Sequence, residues 1–278
     1  MEKFDFLDII VPVWRAEDHI ELFTDSILEA INPEITNIIF VLNECDYDNT
    51  GKILHKYYEK TNFFLRKSRE NLGPIGVDLA MFAPNLLREG AIIGNVNTDM
   101  FFEKGFDEKI LDYFNKNYTD KNKFTISPVV VEPYGTGNPK VIIDKDLQEF
   151  SEKTKEKFLS KREEFLSKTP KCSHSYNHPI FCAVDDYVSV NGYSDNFNFD
   201  FWHGYAADDY FPFRLWEKNN GKFNFMLLRD CFVYHEISKS TGRIESSEKK
   251  RRVMHSRAIF HKYTGMSIEE FKNKVVFK

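Results

Sequence analysis

The 278-residue chain is 42% hydrophobic and 15% aromatic, enough to bury a sizeable core, which excludes wholesale disorder. Its net charge of -5, from 38 basic and 43 acidic residues, excludes a dedicated nucleic-acid coat and leaves room for a local basic groove. The four cysteines, Cys45, Cys172, Cys182 and Cys231, lack Cys-x-x-Cys spacing and read as reduced, packed thiols of a cytoplasmic protein, not as a zinc site. No signal-peptide core stands at the start and no apolar run reaches the roughly 18 residues of a membrane span, so the reading is soluble or at most peripheral to a membrane.

In chain order, Asp8–Val13 is a buried strand closing at Pro12. Ile20, Phe23, Ile27, Leu28 and Ile31 recur at helical spacing, so residues 16–31 are expected as an amphipathic helix ended by Asn32-Pro33. Ile38–Leu42 is a second buried strand entering the polar turn Asn43–Asn49, followed by a helix over 50–60 and a short strand over Phe63–Leu65. The loop Asn71–Gly76 places Pro74 in the first turn of a helix expected to reach Arg88 with a kink near Pro84. The central strand Ala91–Val96 follows, and the alternation predicts a parallel sheet with right-handed crossovers.

Beyond it the reading gives a helix near Asp107–Asn117, a strand over Phe124–Glu132 and a loop over Pro133–Pro139. Residues 144–168 are highly charged around Leu147, Phe150, Phe158, Phe165 and Leu166, and are expected as a solvated surface helix or as an insertion that covers the site or contacts the acceptor. A strand over Ile180–Val184, a short helix closed by Asn191-Gly192, an aromatic loop from Tyr193 to Tyr205 and a helix opened by Ala207-Asp208-Asp209 come next. A strand over Lys222–Leu228 leads to Arg229–Glu236. One continuous domain is expected over 1–236, a first half to about residue 103 with a second half over 104–236 built onto it, then basic loop and helices over 237–278.

Three places carry chemistry. The central strand runs into Asn97-Thr98-Asp99, and ligands of open α/β sheets collect beyond the carboxyl ends of strands. Asp99 there is a hard ligand suited to Mg²⁺ or Mn²⁺ held against a diphosphate, or else a turn residue. Asp208 and Asp209 gain from free N–H groups and the dipole at a helix start; capping explains one, and the second suggests acid/base work. His235 closes a strand, as a structural histidine or as part of a site.

The ordered set resembles the family 2 glycosyltransferases of the GT-A fold. The resembling stretches are Val11-Pro12-Val13, the acidic turn from Asn43-Glu44 to Thr50, Asn71-Leu72-Gly73, Asn97-Thr98-Asp99, Gly192-Tyr193, Asp208-Asp209 and His235, spanning residues 8–236. The resemblance implies an α/β fold with a mixed, mostly parallel, Rossmann-like sheet. It implies a metal-dependent, inverting transfer of a sugar from a nucleotide-diphosphate donor, most often a UDP-sugar, to an acceptor hydroxyl. Asp99 and His235 would hold the cation, and Asp209, with Asp208 as its rival, would be the general base. Pro12, Trp14, Asn43 and Glu44 would line the base and ribose pocket, completed by Asn71 and Asp78. Asn97, standing where the motif has its first Asp, would take the ribose, and Arg243 or Lys239 the diphosphate from a closing loop. The basic residues from Lys239 to Arg257, Arg251 and Arg252 among them, read as a solvated helix face or as a contact for an anionic acceptor or surface. Two other readings stand beside this one: a nucleotidyltransferase that makes an activated sugar, and a sugar-nucleotide-binding protein without turnover. The acceptor (glycan, glycolipid, protein or modified nucleobase) is not read from the sequence.

Overall fold

The computed structural model describes residues 3–44, 46–58, 60, 63–67, 73–82, 88–134, 140–172, 174–175, 178–196, 198, 200, 207–236 and 246–275. The first half alternates as expected: β1 (Phe6–Val13), α1 (Ile20–Ala30), β2 (Thr36–Leu42), α2 (Thr50–His55), β3 (Phe63–Lys67), α3 (Pro74–Met81) and β4 (Ala91–Asn95). These four strands lie parallel in the order β3-β2-β1-β4. Neighbouring residues of β1 feed opposite cores: Leu7, Ile9, Val11 and Val13 one, Ile10 the other. Burial on both faces is why the strand reads as an unbroken apolar run. α3 ends at Met81, short of the expected Arg88, and Pro84 lies outside the described residues. Arg88 instead clamps the buried Asp8 through its Nε at 2.9 Å and an Nη2 at 2.5 Å.

The second half contributes β5 (Met100–Phe102), α4 (Phe106–Asn117), β6 (Phe124–Glu132), β7 (Val141–Ile143), α5 (Glu152–Ser160) and α6 (Arg162–Lys168). After them come β8 (Ile180–Ala183), α7 (Val184–Ser189), α8 (Ala207–Lys218), β9 (Asn224–His235), α9 (Ser246–Thr264) and α10 (Ile268–Val275). β8 runs antiparallel between β4 and β6, β9 runs parallel to β6, and β5 is antiparallel to β9. The sheet is therefore mixed. β4 and β5 are joined only by Val96–Asp99, yet β8, β6 and β9 stand between them in the sheet. Four strand spacings of about 4.8 Å come to ~19 Å. That is the full stretch of the Cα–Cα steps from Asn95 to Met100 at about 3.8 Å each. The sheet has to curl, which brings the end of β9 to the end of β4.

Four expectations change. β5 and β7 are strands of three residues each, too short to show a period in sequence. Lys222–Leu228 and the stretch to His235 form one strand; its register steps from Pro128–Leu228 to Val129–Phe232, where proline lacks the N–H a ladder needs. The charged stretch 144–168 is two helices, and their apolar residues reach the main core: Phe158 meets Tyr234, and Phe165 meets Phe232. The remaining faces of both helices are largely exposed, as expected of surface helices, but the stretch is two helices and not one. In the tail, Phe260 of α9 and Phe271 of α10 are fully buried beside Phe213, so these helices complete the second core. Among the described residues no helix is long and apolar enough to cross a membrane.

Candidate active site

Strand directions fix where the site lies. β1, β2, β3, β4, β6 and β9 all point the same way, so their carboxyl ends share one edge. Asp99 follows β4 there, Glu132 ends β6 and His235 ends β9. The curl sets Met100 opposite His235 and lets Glu236 N–H donate to the Asp99 carbonyl at 2.9 Å. His235 Nε2 faces Asp99 Oδ1 at 3.5 Å, and its Nδ1 lies 3.1 Å from Glu132 Oε1. Burial works against the charged ring, but Asp99 and Glu132 outweigh it and raise the His235 pKa. Asp99 and His235, 136 residues apart in sequence (235 − 99), are thus brought together as expected. Glu132 was missed, because a lone Glu closing a strand has no sequence signature.

Thr98, between Asn97 and Asp99, is fixed from behind. Its hydroxyl lies 3.1 Å from His19 Nε2, and His19 Nδ1 is 2.6 Å from Asp18. Asn97 is half-buried. His178 precedes β8 at the same edge; burial and the neighbouring His235 push its pKa down to about 3, and the ring stays neutral.

On the opposite side stands the acidic pair. Tyr193 donates its hydroxyl to Asp208 Oδ1 at 3.4 Å with the Asn95 amide against it, which ties Asp208 to the end of β4. Asp208 keeps contact with water, yet the protein packed around it, then the charge of Asp209, pushes its pKa up to about 7. Asp209 turns the other way, to Lys272 of α10 at 3.3 Å.

The residues expected to line a nucleotide pocket lie at the ends of β1 and β2. Pro12 and Trp14 close β1, and Asn43 is buried with its N–H on the Val13 carbonyl at 2.8 Å. Glu44, however, faces inward: it accepts from Trp14 Nε1 at 2.7 Å and Arg15 Nε at 3.1 Å, and the Arg15 guanidinium holds its pKa below the ordinary value. Arg15 in turn lies on the Tyr47 ring, 3.3 Å from its centroid. Arg15 and Glu44 both have positive φ, 50° and 56°, the kind of backbone strain that gathers at functional sites. Arg15 was not anticipated.

Asp78 requires a correction. It is fully buried, and its carboxylate accepts from Tyr193 N–H at 2.6 Å, Ser194 N–H at 2.5 Å and the hydroxyls of Tyr187 and Ser194. Both oxygens are taken by the Gly192–Ser194 corner, so Asp78 braces the wall that carries Tyr193 and has none left for a nucleotide. Gly192 sits there at φ 77°, where a Cβ would stand 2.5 Å from Asp78 Oδ1. Asn71, Lys239, Arg243 and the loop 201–206 lie outside the described residues. Arg251 and Arg252 both bind Glu248, at 2.7 and 2.8 Å, so neither offers a wholly free cation.

Does this edge suit a divalent cation? Asp99 Oδ1 and Glu132 Oε2 are buried without a hydrogen-bond donor among the described residues. Donors that each bind at about 2.1 Å stand less than about 4.2 Å apart, and Asp99 Oδ1 and His235 Nε2, at 3.5 Å, meet that limit. Glu132 behind the ring is the carboxylate that orients metal-bound histidines. Asp99, His235 and Glu132 adjoin, but among the described residues no three His, Cys, Asp or Glu are placed to hold one ion, so two protein donors would share it with substrate oxygens, as Mg²⁺-type sites do. The residues fit.

A curled mixed sheet flanked by helices, with its first four strands parallel, is the GT-A fold, and this chain has it. Among solved structures, TarS 1-349 from S. aureus in complex with UDP-GlcNAc matches with TM-score 0.57 at 15% identity, over 97% of this chain and 70% of that one. Glucosyl-3-phosphoglycerate synthase from Mycobacterium tuberculosis, in complex with Mn²⁺, UDP and glucosyl-3-phosphoglycerate, matches with TM-score 0.52 at 11% identity, over 94% and 81%. The mannosyltransferase PcManGT from Pyrobaculum calidifontis, in complex with GDP-Man and Mn²⁺, matches with TM-score 0.55 at 12% identity, over 96% and 67%. No protein-family model matches the chain, and no curated protein matches it in sequence.

Proposed function

We propose that the protein is a cation-dependent glycosyltransferase that moves a sugar from a nucleotide-diphosphate donor, a UDP-sugar in the first instance, to an acceptor hydroxyl. The observation that carries this is the approach of Asp99 Oδ1 to His235 Nε2 with Glu132 behind, at the carboxyl edge of a GT-A sheet. Asp99 and His235 hold Mn²⁺ or Mg²⁺, which when bound supplies positive charge against the leaving diphosphate. Asp208 is the general base. Its pKa near 7 suits proton transfer at neutral pH, whereas Asp209 is occupied by Lys272, which reverses the order the sequence suggested. Asp208 takes the acceptor proton as the acceptor oxygen bonds the anomeric carbon, and the carbon–diphosphate bond breaks with inversion. Pro12, Trp14 and Asn43 line the base pocket, with Glu44 acting through Arg15 and Trp14. Asn97 meets the ribose, and Arg243 the diphosphate.

Differential scanning calorimetry tests this with UDP-glucose, UDP-GlcNAc and GDP-mannose, each with Mn²⁺. At 100 times Kd a ligand stabilises by about 2.7 kcal/mol, which is ~5–11 °C for a chain this size. The shift should vanish in Asp99→Ala. No shift with any donor would refute the proposal.

A further inference from the structure

β8 runs antiparallel to its neighbours, so its amino end is the one that opens on the site edge, with Ile180 opposite Asn95. His178 stands just before it. Strand order then gives the sequence along the edge: Asn95 on β4, His178 ahead of β8, Glu132 ending β6, His235 ending β9. Both His178 ring nitrogens are buried, and neither has a hydrogen-bond partner among the described residues. Asn95 Oδ1, Asp99 Oδ1 and Glu132 Oε2, on either side, are in the same condition. Buried polar atoms are nearly always paired, so orphans gathered along one edge outline the place of a missing polar partner.

That place has a meaning once the two ends of the site are assigned. Asp99 and His235 mark the leaving diphosphate, and Asn95 with Tyr193 leads to Asp208, the base. A transferred sugar bonds the first and receives the acceptor from the second, so it lies between them, where His178 is. We propose that His178 is a specificity-determining residue that hydrogen-bonds a hydroxyl of the transferred sugar; the assignment rests on the sugar-transfer reading above. A neutral imidazole has one donor and one acceptor, the complement of a hydroxyl, whereas a phosphate offers acceptors alone. Among the described residues no three His, Cys, Asp or Glu are placed to hold one ion, which leaves His178 outside the pair assigned to the cation.

His178→Ala and His178→Gln are compared with wild type by titration calorimetry against UDP, GDP, UDP-glucose, UDP-GlcNAc and GDP-mannose, all with Mn²⁺. Both variants should bind the bare diphosphates like wild type, while intact-donor affinity falls about two- to tenfold in His178→Ala. His178→Gln, which keeps a donor and an acceptor, should lose less and carries the test if the Ala variant melts. A donor deoxygenated at the contacted carbon should weaken wild type by the same factor and His178→Ala no further. Unchanged donor affinity in both variants overturns the assignment, and so does an equal loss for bare diphosphate. Should wild type bind no donor and no diphosphate, the sugar-transfer reading itself fails.

Discussion

Asp78→Ala tests whether one buried carboxylate holds α3 to the Gly192–Ser194 corner. The substitution leaves the Ser194 N–H and the hydroxyls of Tyr187 and Ser194 without their acceptor, while the Tyr193 N–H keeps the Tyr187 hydroxyl at 3.2 Å. Hydroxyls rotate toward other acceptors; main-chain N–H groups do not. A buried donor left unpaired costs about 1–3 kcal/mol, a cost that falls on the Ser194 N–H. Burial raises the Asp78 pKa, so removing the carboxylate also relieves a desolvation cost, and the net loss stays within about 1–3 kcal/mol. In scanning calorimetry this is a fall of ~2–12 °C. Affinity of the folded variant for UDP with Mn²⁺ should stay within about twofold of wild type, because no oxygen of Asp78 is left for a ligand. Unchanged melting combined with lost UDP affinity would refute this reasoning and return Asp78 to the nucleotide pocket.

Glu132→Gln should weaken Mn²⁺ binding about 10–100-fold in titration calorimetry, since the His235 ring loses its anionic partner. Protons compete for the same nitrogen, so Mn²⁺ affinity should rise with pH through the raised His235 pKa. In the metal-free protein His235 contributes stability that is complete below the ordinary value of 6.5 and lost as pH rises through the raised one; Asp99→Asn should shrink that loss in pH-dependent denaturation. For Asp208, kcat/KM should climb through about pH 7 and flatten in Asp208→Asn with a loss of about 10²–10⁴-fold, while Asp209→Asn keeps the climb. Gly94→Ala sets a Cβ 2.3 Å from the Phe181 ring on the neighbouring strand, and should cost about 1–3 kcal/mol by thermal melting.

How much of this was legible beforehand depended on whether a signal was local. β1, β2 and β4 are buried on both faces and announced themselves as apolar runs, and their parallel order followed from the helices between them. The charged stretch 144–168 was legible as helix but not as two, because its aromatics are spaced across a break at Lys161, and only the position of Tyr234 and Phe232 shows what they cover. Asp78 misled for a related reason. A carboxylate near a glycine-rich loop reads as a ligand, and its partners at Tyr187, Tyr193 and Ser194 are more than a hundred residues away.

The site divides along the same line. Asp99, His235 and the Asp208-Asp209 pair sit in recognisable surroundings, so their candidacy was visible; what each one does was not, because roles are set by neighbours. Asp208 differs from Asp209 through Tyr193 on one side and Lys272 on the other, contacts made by a corner and by the last helix. Glu132 and His178 enter through strand order alone. Inserting β8 between β4 and β6, against their direction, puts the start of one strand among the ends of three others. A residue ahead of a strand thereby joins residues that follow strands, and no spacing in the chain encodes that adjacency. Sites built at such a reversal draw on more of the chain than their motifs show, and the residues most easily overlooked are those before the antiparallel strand.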